Sequence, residues 1–406
     1  MVWDKLQRLF GVRPEAARKP EDVRSTEDAP EPPRCSWIEA ADNPWDVRVL
    51  DVRPVTHTMT STSADPNCAA NAVSFAGEDG LCFVGQVPPV QRTIDASLRF
   101  PIDGFLADGV LFIPQAMEHK WALFYHGGKI ICVRSWLRSV RLLASVVSHG
   151  THVEVTQIQG AFGGEDEDAE FTRRLFDCLM HTHALDTVCP IPLPAGMTAD
   201  PDSVALWCMS LLGNKASVAT PHPFARRDPE QPLRTHSLFH IAVARNDTAE
   251  VERQLAAGVP VDLLAGDGLG ALHWAMASGQ SDMLKFLLGK GAAVDGRSVQ
   301  GATPLMNAVQ SRSLEKAVLL LDHGADVNAR DRRGFTALHR AADLGLFDLA
   351  QLLVQRGGVD CEVSGQTARS LAQRGGHADI VAALDAKAGP VSPAACGRAD
   401  RTLPLQ

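Results

Sequence analysis

The sequence has no CxxC pair. Its nine cysteines (Cys35, Cys68, Cys82, Cys132, Cys178, Cys189, Cys208, Cys361 and Cys396) follow no regular spacing, which excludes zinc ribbons and thioredoxin-like redox sites. It has no apolar run of about 18 residues, so no transmembrane helix and no membrane insertion are expected. The first ten residues lack the apolar core of a signal peptide. Free thiols in such a chain read as a reducing, cytoplasmic setting. No P-loop, glycine-rich dinucleotide fingerprint, HExxH or GxSxG occurs, and Gly160-Ala161-Phe162-Gly163-Gly164 is a loop rather than a phosphate motif. No cofactor and no metal site are therefore expected. Positive charge is not in excess either: 39 Lys and Arg face 48 Asp and Glu, a formal net charge of -9. That argues against nucleic acid as a partner.

What is present is ordinary for a folded protein: 406 residues, 45% hydrophobic and 21% charged. This length suggests two to three domains and needs no disulfide staples. The charge is unevenly spread. Residues 1–34 carry seven basic and seven acidic residues, residues 35–234 carry 15 and 23, and residues 235–389 carry 15 and 17. The stretch 35–234 also holds 16 of the 23 aromatic residues.

Residues 1–10 place Val2, Trp3, Leu6, Leu9 and Phe10 at helical spacing, and Gly11 ends the pattern. With only Lys5 and Arg8 as cations, this helix suits docking onto protein better than a membrane surface. The proline-rich stretch to residue 34 reads as a flexible linker. Residues 35–234 read as an α+β domain with no recognisable family motif, ending in a proline-rich connector. Strands are expected at Val47–Val52, Leu98–Ile102 and Val110–Ile113. Trp121–Tyr125 and Lys129–Val133 read as a hairpin turning at Gly127-Gly128. Val140–Ile158 reads as a second hairpin, although its first arm also fits a helical period. Helices are expected at 166–183 and at Ser203–Leu212, the latter with Ser203 as N-cap.

Residues 235–389 repeat with a period of 33. Ser237-Leu238-Phe239-His240-Ile241-Ala242 is followed by Gly270-Ala271-Leu272-His273-Trp274-Ala275, Thr303-Pro304-Leu305-Met306-Asn307-Ala308 and Thr336-Ala337-Leu338-His339-Arg340-Ala341. A weaker fifth copy, Thr367-Ala368-Arg369-Ser370-Leu371-Ala372, arrives two residues early. The second half of each unit repeats too, with paired leucines and then Gly258, Gly291, Gly324 and Gly357. Proline at the first helical position costs no hydrogen bond, small alanines allow close packing, and glycine ends the second helix in a left-handed turn. No such unit buries its apolar face alone, so the units must stack.

The pattern resembles the ankyrin repeat. The resemblance implies an all-α solenoid of about five units, so the chain reads as multidomain, the N-terminal α+β domain followed by this solenoid, with residues 390–406 as a disordered tail. It also implies that the array binds a protein partner. The family uses turn tips and first helices for contact. Here those positions are Asp267, Leu269, Val299, Gln300, Arg332, Arg333 and Phe335 at the tips, and Ser278, Gln310, Asp343 and Leu344 on the first helices. Met306 stands where the family has a histidine that ties adjacent turns, which weakens that link in the third unit. Arg330, Arg332, Arg333 and Arg340 form either an anchor for an acidic partner or a solvated turn neutralised by Asp331 and Asp326. Trp274 is either an exposed partner-binding anchor or packs against Phe239 or the N-terminal domain.

Other constellations are weaker. Cys68 follows Asp65 and Asn67, either of which would cap a helix and place the thiol in its first turn. A histidine such as His126 would complete a hydrolase-like pair, with the array recruiting substrate. The plainer reading is a small buried thiol. Cys178, His181, His183 and Cys189 lie close in sequence, but residues 178 and 183 point apart on a helix, so structural roles are favoured over zinc. The acidic run Glu165–Glu170 lacks the spacing of a calcium loop and suits a helix amino end. The expected function is thus protein interaction or scaffolding, with a hydrolase-like N-terminal domain as the alternative.

Overall fold

The computed structural model describes residues 34–387, apart from 62, 64, 195, 198–199 and 277–280. The segment 1–10, its linker and the tail 390–406 lie outside the described residues. The described chain forms two compact units, residues 34–237 and 238–387.

The first unit is built on two sheets. Its elements in order are β1 (Ser36–Ile38), β2 (Val49–Asp51), α1 (Arg53–Thr56), α2 (Pro66–Val73), β3 (Thr93–Pro101), β4 (Gly109–Phe112), β5 (Trp121–His126), β6 (Lys129–Arg134), β7 (Ser139–Ser148), β8 (His152–Gly160), α3 (Ala169–Leu179), β9 (Ile191–Pro192), α4 (Pro201–Leu212), β10 (Val218–Thr220) and β11 (His236–Ser237). The larger sheet has seven strands in the order β11-β4-β5-β6-β7-β8-β3, every pair antiparallel. The smaller has the order β1-β2-β10-β9, with one parallel pair, β9 and β10.

Local sequence accounts for the centre of the large sheet. Gly127 and Gly128 adopt φ of 56° and 74°, the two positive values that a two-residue hairpin turn requires. Tyr125 then pairs with Ile130 and Phe124 with Ile131. In β8 the alternation places Val153 and Val155 in the core. The first arm of the second hairpin is strand β7, not a helix. Its partner β8 supplies a ladder that the residue pattern alone does not reveal. A single apolar core joins Trp121, Leu123, Leu142, Ile158, Leu175, Phe176 and Leu179.

Two helix boundaries differ from the sequence expectation. α4 starts at Pro201 because Asp200, not Ser203, is the N-cap; the Asp200 carboxylate accepts the Ser203 backbone N–H at 3.1 Å. α3 starts at Ala169, because Asp168 caps it by accepting the Phe171 N–H at 2.8 Å. Glu167 precedes the helix and binds the loop, accepting the backbone N–H groups of Phe162 and Gly163. At its other end α3 runs into a wide turn, Met180–Ala184, of π-helical geometry.

The second unit is five helix pairs: α5 (Leu238–Arg245) with α6 (Thr248–Ala256), α7 (Ala271–Ala275) with α8 (Asp282–Gly289), α9 (Pro304–Gln310) with α10 (Leu314–Asp322), α11 (Ala337–Asp343) with α12 (Phe347–Gln355), and α13 (Ala368–Gly375) with α14 (Ala378–Lys387). Gly258, Gly291, Gly324 and Gly357 end the second helices of the first four pairs with φ of 93°, 88°, 88° and 96°, the left-handed stop that a side chain resists. Polar links between neighbours recur at the 33-residue period. Asp262 accepts the Ala293 N–H at 2.9 Å, Asp295 the Asp326 N–H at 3.0 Å, and Asn328 the Val359 N–H at 2.9 Å.

Candidate protein-binding surface

The array presents its turn tips in a row because their backbones are bonded together. The Val299 N–H donates to the Gly268 carbonyl at 2.9 Å, and the Arg332 N–H donates to the Gln300 carbonyl at 3.1 Å. In three of the units a buried histidine ties its helix to a carbonyl in the segment that leads to the next helix pair. His240 Nε2–H donates to the Leu263 carbonyl, His273 Nε2–H to Ala302 and His339 Nε2–H to Cys361, each at 2.9 Å. The carbonyl acceptors require a proton on Nε2 in every case. In His273 and His339, Nδ1 accepts the backbone N–H of Gly270 and of Thr336, so both rings are the neutral Nε2–H tautomer. Burial pushes both pKa values down.

On this frame Asp267, Gln300, Arg332, Arg333 and Asp343 are exposed, while Leu269, Val299, Gln310, Phe335 and Leu344 are half-buried. Ser278 lies outside the described residues. Trp274 does not belong with them: it is 2% exposed, its ring 5.6 Å from that of His240. Its indole N–H reaches Asp267 at 3.4 Å. The residue after the motif histidine points inward in this unit, so Trp274 is core and not a contact residue.

The arginine cluster has an internal counter-charge in Asp331. Asp331 is 7% exposed, and its carboxylate accepts the backbone N–H groups of Arg333 and Phe335 at 2.9 and 3.0 Å. It also receives Arg340 at 3.1 Å, whereas Arg333 stays at 3.9 Å and lies over the Phe335 ring. Arg297 crosses from the preceding tip to the Arg330 and Gly301 carbonyls. The other expected neutraliser, Asp326, instead accepts the Asn328 N–H. Two guanidinium groups, those of Arg340 and Arg333, thus face the buried Asp331 carboxylate, and the side chains of Arg297 and Arg332 beside them are exposed.

In the first unit the weaker constellations come apart. Cys68 does sit in the first turn of a helix capped by Asp65, but its thiol faces the Asp65 carboxylate at 3.8 Å. His126 is engaged elsewhere: its Nε2–H donates to the Asp79 carbonyl at 2.8 Å, and its Nδ1 lies 3.9 Å from Asp108. The two side chains share no partner, so the geometry does not assemble a Cys–His pair. Cys178 donates to the Cys189 carbonyl, while His181 and His183 bond to Thr187 and Thr182. Among the described residues no group of three His, Cys, Asp or Glu side chains is placed to hold a metal ion.

A stack of helix pairs joined by bonded tips defines a repeat solenoid, the class of protein that displays an extended surface to other macromolecules. Family models identify the repeats: residues 239–331 match ankyrin repeats (3 copies), and residues 320–372 match ankyrin repeats (many copies). Residues 239–372 are therefore an ankyrin-repeat array, and its general role is protein–protein interaction. No curated protein matches the chain. No helix among the described residues is long and apolar enough to cross a membrane.

Proposed function

We propose that the array is a scaffold surface, and that the tips of its third and fourth units hold an acidic segment of a protein partner. The observation that carries this is the imbalance around Asp331. That carboxylate faces inward and is already satisfied, so the exposed Arg332 and Arg333 keep their charge for an incoming group. A planar guanidinium binds a carboxylate through two parallel hydrogen bonds, and Arg333 is held in place over Phe335. A carboxylate arriving here also relieves repulsion among neighbouring cations. In this reading the partner's acidic stretch runs along the tips, past Gln300 and Val299, and the chain brings that partner together with its N-terminal unit in the cytoplasm.

The test is affinity capture with the full chain and with the Arg332→Ala, Arg333→Ala double variant. Both side chains are exposed, so the variant is expected to fold as the parent does and to lose its partner. Binding should also weaken steeply with added salt. If the double variant retains every partner, the proposal fails.

A further inference from the structure

The first unit contains a serine and a lysine brought together from distant parts of the chain. Lys120 precedes β5 and is 5% exposed. Its Nζ lies 2.7 Å from Ser61 Oγ, in the segment between α1 and α2. Ser61 itself is half-buried.

Both partners are held. The Met117 carbonyl accepts from Lys120 Nζ at 3.1 Å and from the Trp136 indole N–H at 2.8 Å, and the Trp136 ring lies 3.8 Å from the same ammonium. The Ser61 backbone N–H donates to Glu118 Oε1 at 3.0 Å. From the far side, Gly213 closes onto the Glu118 carbonyl and the Lys120 stem so tightly that a Cβ there would overlap them. Nucleophile, base and a third group that orients the base are the parts of an activated serine.

We propose that Ser61 and Lys120 form a nucleophile–base pair that acts on an ester or another activated acyl group. Neutral Lys120 takes the Ser61 hydroxyl proton as Oγ bonds to the acyl carbon. The bond to the leaving oxygen breaks, and that oxygen departs with the proton from the Lys120 ammonium. Water then attacks the acyl-serine, giving one proton to Lys120; the acid leaves, and Ser61 recovers the proton.

The electrostatics fit a base. Burial, aided by the positive charge of Arg134 and opposed by Glu118, pushes the Lys120 pKa down to about 8. About a tenth of the side chain is therefore neutral at pH 7, and about half at pH 8. Burial alone equally serves a purely structural tether, in which the ammonium holds the loop through Ser61. The two roles differ in whether the lysine must lose its proton.

The experiment treats the full chain with an alkyl fluorophosphonate and follows it by intact mass and peptide mapping. The serine–phosphorus bond forms, fluoride leaves and the hydroxyl proton passes to Lys120. A single adduct is expected on the peptide containing Ser61. Its rate should rise about tenfold per pH unit below the Lys120 pKa and level off above it. Lys120→Arg keeps a positive donor but cannot act as base, so labelling should drop at least a hundredfold in a variant whose melting curve shows that it still folds. No adduct at Ser61, a labelling rate that never levels off with rising pH in the parent protein, or full labelling of a folded Lys120→Arg variant would each overturn the proposal.

Discussion

The hydroxyl of Thr303 is buried without a hydrogen-bond partner, because Met306 occupies the place of a histidine. One unit further on, the equivalent Thr336 hydroxyl lies 2.9 Å from His339 Nδ1. The histidine there serves two ends, the threonine at the start of its own helix and the Cys361 carbonyl in the segment leading to the next unit. Methionine fills the volume but supplies neither bond, since a thioether is only a weak acceptor. The third unit thus lacks the imidazole link that the second and fourth units have.

Replacing Met306 by histidine should supply that link. Two buried hydrogen bonds at roughly 1 kcal/mol each give about 1–2 kcal/mol of added stability. The expected readout is a higher urea midpoint for the array, with slower amide exchange in α9 and α11. An unchanged midpoint would show that the third unit is not limited by the missing imidazole.

Acid should loosen the array at the second and fourth units. His273 and His339 are neutral donors whose pKa values burial holds below 6.5. Below that value the unfolded chain binds protons that the folded array refuses, so stability is lost as pH falls from about 6.5 toward the lowered folded values. Amide exchange at Leu272–Ala275 and Leu338–Ala341, corrected for intrinsic rates, should quicken between pH 7 and pH 5. Equal protection at both pH values would contradict the neutral-tautomer assignment.

Trp274 separates packing from recognition. Its truncation to alanine should cost about 3–5 kcal/mol, the usual range for a fully buried large aromatic. Trp274→Phe should cost much less and leave partner capture intact. A folded Trp274→Phe protein that fails to capture its partner would return Trp274 to the contact surface.

The array was largely legible because its contacts are local. Each unit touches its neighbours, so the rules of packing recur every 33 residues in the glycines, leucines and histidines. Legibility ended at single side chains: Trp274 and Arg340 both follow a motif histidine, yet one is core and the other reaches Asp331 at 3.1 Å. In the first unit the Gly127-Gly128 hairpin could be read from its turn, whereas the first arm of the β7–β8 hairpin left helix and strand open. The N-cap of α4 was missed because Asp200 and Ser203 are both good caps, and the choice depends on where the loop delivers the chain.

By itself the sequence determined the period, the helix starts and stops of the array and the cluster of arginines, since propensity, capping and repetition act over a few residues. Only the tertiary structure decided that Asp331 turns inward and leaves Arg332 and Arg333 exposed. Only it brought Ser61 to Lys120 across a separation of 59 residues. Burial and approach between distant segments are set by how whole elements pack, and no local pattern records them.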